Sequence, residues 1–362
     1  MGAPMAGVSG AKLAFETCRA GGLGFIAAGH LNSKEAFKQL EHEIEIFKEL
    51  AAKAKASGDE GGQYPLCIGF ISHSTFKEEL GWNFVQHLLE DYEPDVIQFF
   101  APAVSYPPPG VKAKINVSNT VKLCQSYGCK VVAQVGSVKE AIEALDCGVD
   151  CIVAQGSEAG GHGIRRDLGN GTLSLTSTLV KIAEQKKRKI PVLAAGGIID
   201  GRGLVAALAL GADGVVLGTR LWASNEATGP NAYKMALVET KSCDDVVRTQ
   251  VFDMISNSYN TTKWPAPYDS SGVLRNLMTD AWDTKLNELE SEILYPSNGS
   301  NIAAKFRKAA EGQRLDTACV YSGQGVGEIT SIEPAYGIIQ KIQREAAESM
   351  TRLQRVCLPR DD

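Results

Sequence analysis

The sequence is short of positive charge, histidine and long apolar runs, and each shortage removes a class of function. Its 362 residues carry 37 Lys and Arg against 42 Asp and Glu, a formal net charge of −5. That balance argues against a partner made of nucleic acid or anionic membrane. No apolar run approaches the ~20 residues of a membrane span, and the amino terminus lacks the basic-then-apolar pattern of a secretory signal. The nine cysteines are an odd number without a C-x-x-C pair, and Cys67 and Cys151 fall in segments apolar enough to be buried. They read as reduced thiols in an intracellular, cytoplasmic protein. A dinucleotide fold would place G-x-G-x-x-G after its first strand, and that pattern is missing. So is any Gly-Lys-Ser/Thr phosphate loop. With five histidines in the chain, few side chains can move a proton near neutral pH.

What is present centres on residues 151–163, CIVAQGSEAGGHG. Cys151 to Ala154 form a short apolar run that suits a strand covered on both faces. The run stops at Gln155-Gly156, and the loop beyond it holds Glu158, Gly160, Gly161, His162 and Gly163. Glycine lets the backbone approach a flat ligand with no Cβ in the way. His162 is the side chain of the loop suited to proton transfer near neutral pH.

Around this stretch a strand-then-helix beat repeats. A stub at 1–7 is followed by strands at 24–28, 66–71, 95–100, 130–135, 151–155, 191–197 and 214–219. Helical patterns fall between them, including 9–20, 33–55, 76–90, 137–147, 174–187 and 200–210. Ser137 with Glu140 makes a capping-box pattern, and Asp200 is suited to an N-cap. Counting the stub, the eight strands predict an α/β fold, a TIM-type (β/α)8 barrel with its first strand largely missing and an open seam there. An apolar share of 44% supports a core of that size. Past Glu226 the beat breaks. We expect a barrel over 1–226, an inserted, mostly helical lobe over the site at 227–320, and a glycine loop with a returning helix at 321–362. Within the lobe, 246–254 reads as a strand, and 274–289 and 301–311 read as helical.

In barrels the site lies at the carboxyl ends of the strands, and the loops after the last two strands commonly hold phosphate. Here those loops carry Gly196-Gly197 and Gly218-Thr219. Their backbone N–H groups and the Thr219 hydroxyl suit a phosphate dianion. With the glycine slot at Gly156, Gly160 and Gly161, they point to a flat phosphorylated cofactor, and FMN fits best. Met5, Ala6, Gly69, Phe70, Gln134 and Gln155 also fall at strand ends facing this cavity. His30 and His73 fall just after strands, but no spacing supports a metal site with His162, so no metal is expected. Arg165-Arg166 reads as a solvated pair.

The segments PMAG at 4–7, AGGLGFIAAG at 20–29, AQGSEAGGHG at 154–163, PVLAAGGIIDGRG at 191–203, GADGVVLGTR at 211–220 and SGQGVG at 322–327 together resemble the nitronate monooxygenases, formerly 2-nitropropane dioxygenases. The resemblance spans nearly the whole chain. It implies FMN, and oxidation of alkyl nitronates, with nitroalkanes as further substrates, by dioxygen to carbonyl compounds and nitrite. His162 matches the family's catalytic histidine, and Ser322 and Gln324 fall where flavin or substrate contacts are expected. The same glycine loops occur in FMN-dependent enoyl reductases and NAD(P)H:quinone reductases. A reductase, or an inactive barrel truncated at its first strand, therefore stands as the alternative. Family members enter PMAG from a full first strand, whereas Met1-Gly2 precedes it here.

Overall fold

Short runs rich in Val, Ile, Phe and Ala supply the strands of the computed structural model, which describes residues 1–59, 62–77, 79–101, 117–296 and 301–357. In chain order they are β1 (Gly24–Gly29), β2 (Leu66–Ile71), β3 (Val96–Phe100), β4 (Lys130–Val135), β5 (Cys151–Gln155), β6 (Gly161–Gly163), β7 (Val192–Ala195), β8 (Gly214–Val216), β9 (Val246–Thr249) and β10 (Ser270–Leu274). Seven of them form one sheet in the order β1-β2-β3-β4-β5-β7-β8, with every neighbouring pair parallel. All six residues of β2 are buried, as expected for a parallel strand with helices outside and barrel interior within. Val132, Val153, Ala195 and Val216 fill that interior together with Met1 and Ala3.

The sheet curls into a barrel, and the stub lies in the seam between its edge strands. Gly2 N donates to Leu23 O at 3.2 Å, Ala3 N to Leu217 O at 3.0 Å, and Leu217 N to Met1 O at 3.0 Å. The seam expected to be open is thus bridged by three residues that hydrogen-bond to both sides, although Gly2 and Leu217 make only an isolated bridge and no full strand.

Side-chain caps start helices of the barrel half, among them the two expected at Ser137 and Asp200. Ser33 Oγ accepts from Ala36 N at 3.1 Å to start the helix Lys34–Ala56. Both halves of the Ser137–Glu140 capping box are present. Asp200 caps the helix Gly201–Ala209 by accepting from Gly203 N at 2.9 Å. The long helix Ala335–Cys357 packs across that helix so closely that a Cβ on Gly201 would lie 2.2 Å from Ala346 N.

The second half departs from expectation in particular places. The segment 246–254 is not one strand: β9 ends at Thr249 and the helix Val251–Asn257 begins after Gln250. The expected helix over 274–289 starts later, because β10 runs to Leu274. Asn276 then caps Leu277–Trp282, and Leu286–Leu294 follows. Ser270, Ser271 and Gly272 have little strand propensity of their own; pairing on both sides makes them a strand. β10 pairs antiparallel with β9 on one side and with β6, the Gly-His-Gly of the loop after β5, on the other. The helices beyond β9 share a small core of their own, in which Val251, Phe252, Ile255, Leu289, Ile302 and Phe306 meet. The proline-rich stretch 102–109 lies outside the described residues. No helix among the described residues is long and apolar enough to cross a membrane.

Candidate active site

At the carboxyl ends of the barrel strands a cavity of about 410 Å³ opens. Its wall includes Met5, Ala6, Gly69, Phe70, Gln134, Gln155, Gly160, Gly161, His162, Gly196, Gly197, Gly218 and Thr219. These residues come from the stub, from the carboxyl ends of β2, β4 and β5, and from the segments that follow β5, β7 and β8, so the barrel brings together residues as distant in sequence as Met5 and Thr219. Three expected residues lie off the wall. A Cβ on Gly156 would fall 2.2 Å from Thr172 Oγ1, so this glycine lets the helix Thr172–Glu184 pack against the loop. Ser322 is buried, its hydroxyl donating to Gly323 O at 3.2 Å. Gln324 is exposed; from the same segment, Tyr321, Gly323 and Gly325 face the cavity instead. Gly69 lines the cavity, yet its lack of a side chain is dictated from behind, where a Cβ would meet Phe25 Cζ at 2.1 Å.

The remaining glycines suit a bound phosphate ester and flat ring. Gly196 has φ +121° and Gly197 φ +70°, backbone conformations that L side chains rarely adopt. Thr219 Oγ1 accepts from Gly323 N at 2.9 Å, which leaves the hydroxyl hydrogen available to an anion. On β3 and β4, Gln98 Nε2 donates to Gln134 Oε1 at 3.0 Å. The buried Gln98 Oε1 has no partner among the described residues. A buried amide oxygen left open toward a cavity fits a ring N–H. These features fit a flavin: Gly196, Gly197, Gly218 and Thr219 could hold a phosphate, and Gln98 and Gln134 a ring edge. Gln98 escaped the sequence reading, since VIQFF reads simply as an apolar strand.

His162 lines the cavity and is a side chain suited to proton transfer. Its Nε2 lies 2.7 Å from Asp253 Oδ1, with Asp253 only 3% exposed. An ionised carboxylate can only accept, so Nε2 carries the hydrogen and Nδ1 is the basic nitrogen of the neutral ring. One face of the imidazole lies on Trp264, ring centroids 3.7 Å apart and planes 12° from parallel. Tyr321 stands 5.5 Å away. Trp264 also contacts His30 at 5.4 Å and His73 at 5.1 Å. Burial lowers both of these histidines to about 4, helped for His30 by His162 and for His73 by His30, so both are neutral at physiological pH. Ser74 Oγ donates to Ile71 O at 3.0 Å, so His30 Nδ1 is the donor in its 2.6 Å contact with Ser74 Oγ. Among the described residues no group of His, Cys, Asp and Glu is placed to hold a metal ion.

Behind the loop lies Arg248. Its guanidinium donates to Ala159 O at 2.6 Å, Ser270 O at 3.2 Å, Ser157 O at 3.3 Å and Gly161 O at 3.4 Å. Four carbonyls in this geometry fix the loop from Ser157 to Gly161 against β10. Burial lowers Arg248 to about 10, so it stays cationic at neutral pH, one layer behind the cavity. Arg165 and Arg166 are not a free solvated pair: Arg165 holds Asp269 at 2.7 and 2.5 Å, and Arg166 reaches Asp283 at 3.1 Å. They tie the loop beyond β6 to the later segment. Asp253, Trp264 and Arg248 were missed by sequence reasoning. No spacing marks them, since Asp253 lies 91 residues from His162; the only available hint was that a working histidine usually has a carboxylate beside it.

A parallel barrel whose seam is bridged by the amino-terminal stub, with a ligand-sized, glycine-lined cavity and a histidine–carboxylate pair at its strand ends, defines an α/β-barrel enzyme. The nitronate monooxygenase family model matches residues 110–345. The chain is 31% identical to a nitronate monooxygenase of Neurospora crassa over 97% of this chain and 90% of that one. It is 30% identical to the nitronate monooxygenase npaC of Metarhizium robertsii over 96% and 91%. The chain belongs to the nitronate monooxygenase family and is an oxidoreductase acting on nitronates. FabK of Thermotoga maritima has the same fold, with a TM-score of 0.70 and 26% identity over 98% of this chain and 94% of that one. A nitroalkane oxidase of Streptomyces ansochromogenes, 23% identical over 98% and 96%, shares the fold at a TM-score of 0.71.

Proposed function

We propose that the chain binds FMN and oxidises alkyl nitronates with dioxygen to carbonyl compounds and nitrite, accepting neutral nitroalkanes through prior deprotonation. The observation that carries this reading is the His162–Asp253 pair on the wall of the glycine-lined cavity. When bound, FMN would supply the electron-accepting centre and the reactivity toward dioxygen. The chain's own residues bind, orient and move protons. With Nε2–H donated to Asp253, His162 Nδ1 can take the carbon-bound proton of a nitroalkane, and Asp253 stabilises the imidazolium that results. For a nitronate, already deprotonated, the protonated ring instead holds the anionic nitro oxygens. Trp264 keeps the imidazole plane fixed during either task. Among the described residues no Lys or Arg lines the cavity, and burial keeps His30 on the same wall neutral, which leaves His162 to carry positive charge there.

The thiols of Cys18, Cys67, Cys124 and Cys129 are buried and unpaired, which supports a reducing, intracellular setting. Oxygen uptake and nitrite release with ethyl nitronate and with nitroethane test the assignment. Turnover of ethyl nitronate with nitrite formed is the expected result. Absence of both from protein carrying FMN would overturn it.

A further inference from the structure

Arg248 is 7% exposed, and its hydrogen-bond partners among the described residues are all carbonyl oxygens. It lies behind His162. Its Nη1 reaches Gly161 O on one side, and on the other a Cβ on Gly163 would fall 3.1 Å from the same nitrogen. A cation taken out of water with no carboxylate bonded to it is costly, so its charge has to be met through space. Burial weakens the charged form, and Asp253, in the helix Val251–Asn257, opposes that effect. Asp253 is itself buried, gives Oδ1 to His162, and has no partner for Oδ2 among the described residues. The other carboxylates near the loop are matched elsewhere. Glu158 accepts from Thr172 N at 2.7 Å, at the positive end of the helix Thr172–Glu184, and Asp269 pairs with Arg165. Arg248 and Asp253 are thus left to balance each other across the histidine.

We propose that Arg248 offsets the charge of Asp253 from behind the loop, so that the cavity at His162 accepts a planar oxyanion. Reading that anion as the nitronate rests on the function proposed above. With His162 neutral, the charges of Asp253 and Arg248 cancel. When a nitroalkane proton moves from carbon to Nδ1, imidazolium and nitronate appear together and the balance is kept. Without Arg248 the same site holds an excess negative charge, which repels an incoming nitronate or carboxylate and leaves a neutral ligand unaffected. Arg248 touches neither ligand nor proton; it is a positioning residue that acts through its charge.

Isobutyrate and isobutyramide share a planar outline, differ in charge, and carry no nitro group to be oxidised. Isothermal titration of the FMN-loaded protein with each compound at neutral pH reads the charge preference. Wild type should bind the carboxylate more tightly than the amide. Arg248→Gln should bind the carboxylate about 10- to 100-fold more weakly than wild type, the range of one charge acting across a site with an effective dielectric constant of about 20, with the amide nearly unchanged. Arg248→Lys keeps the charge but not the grip on four carbonyls, and should retain the preference. Carboxylate and amide weakened alike in Arg248→Gln, or the preference lost equally in Arg248→Lys, would make Arg248 a loop clamp and overturn the proposal. Should Arg248→Gln not hold FMN, Arg248→Met takes its place, and equal binding of the two compounds by wild type overturns the proposal without any variant. Normal oxidation of ethyl nitronate beside an absent charge preference leaves the proposed function standing. A preference set by Arg248 with no nitronate turnover keeps the anion site and overturns the function.

Discussion

His162 lies flat on Trp264, ring centroids 3.7 Å apart, while its Nε2 is held by Asp253 at 2.7 Å. Stacking fixes the plane of the imidazole, and the carboxylate fixes its rotation and tautomer. Both partners come from the segment after the barrel, so the barrel supplies the histidine and the later segment aims it.

The Asp253→Asn variant tests the aim. An amide can meet Nε2 as donor or acceptor, so it no longer enforces the Nε2–H tautomer and no longer stabilises the imidazolium. Nitroalkane turnover should fall on the order of a hundredfold, with the pH profile of kcat/KM displaced, while ethyl nitronate turnover falls less and FMN stays bound. An unchanged pH profile with unchanged nitroalkane turnover would reduce Asp253 to a packing role.

Trp264→Ala removes the stacking surface. Aromatic contacts of this kind contribute about 0.5–1.5 kcal/mol, so kcat/KM should drop a few-fold to roughly tenfold on both substrate types, with little change in melting temperature. Steady-state kinetics beside a thermal melt checks this.

How much of this was legible in the sequence follows from the kind of contact involved. The parallel strands announce themselves because LCIGFI or KVVAQV is apolar on both faces. The glycine loops announce themselves by composition. What the sequence hid depends on pairing across long separations. Gly161–Gly163 becomes β6 only because Ser271 pairs with His162 and Thr249, and those small polar residues carry no strand signal alone. Arg248 resembles any surface cation until the loop carbonyls close around it. Glycine itself was ambiguous. Gly197 has a left-handed φ of +70° at the expected phosphate loop, whereas Gly69 and Gly156 are glycine because Phe25 and Thr172 press against them.

Gly197→Val should empty the cofactor site before it unfolds the barrel. The position has φ +70°, and a Cβ there would approach Glu158 Cβ at 3.3 Å, so the loop must change shape. Flavin per protein, read from the visible spectrum, should fall well below the wild-type value while far-UV circular dichroism is retained. Full flavin occupancy would move the phosphate elsewhere.

Stability should also report on Glu140. Its carboxylate accepts from Gly136 N at 2.8 Å and Ser137 N at 3.2 Å, but burial outweighs these bonds and raises it from its ordinary 4.5 to about 7. A carboxyl raised in the folded state contributes stability below its unfolded value and loses it as pH rises through the folded one. Stability should therefore decline between about pH 4.5 and pH 7 through this group. Glu140→Gln should flatten that decline, by about 1–3 kcal/mol across the window. Urea melts of both proteins at pH 5 and pH 8 decide the sign.

The most direct test of the central claim is the substrate dependence of His162→Asn, measured with flavin content in the same preparations. In the proposed reading the glycine backbone and the loops at Gly196-Gly197 and Gly218-Thr219 would hold the cofactor, so FMN occupancy should match the wild type. Loss of a general base typically costs about a hundred- to ten-thousand-fold. Nitroethane turnover should fall by that order, and ethyl nitronate, which has no proton to lose, should fall far less. Normal turnover of both substrates with FMN bound would contradict the account and leave His162 a loop residue without a part in the chemistry.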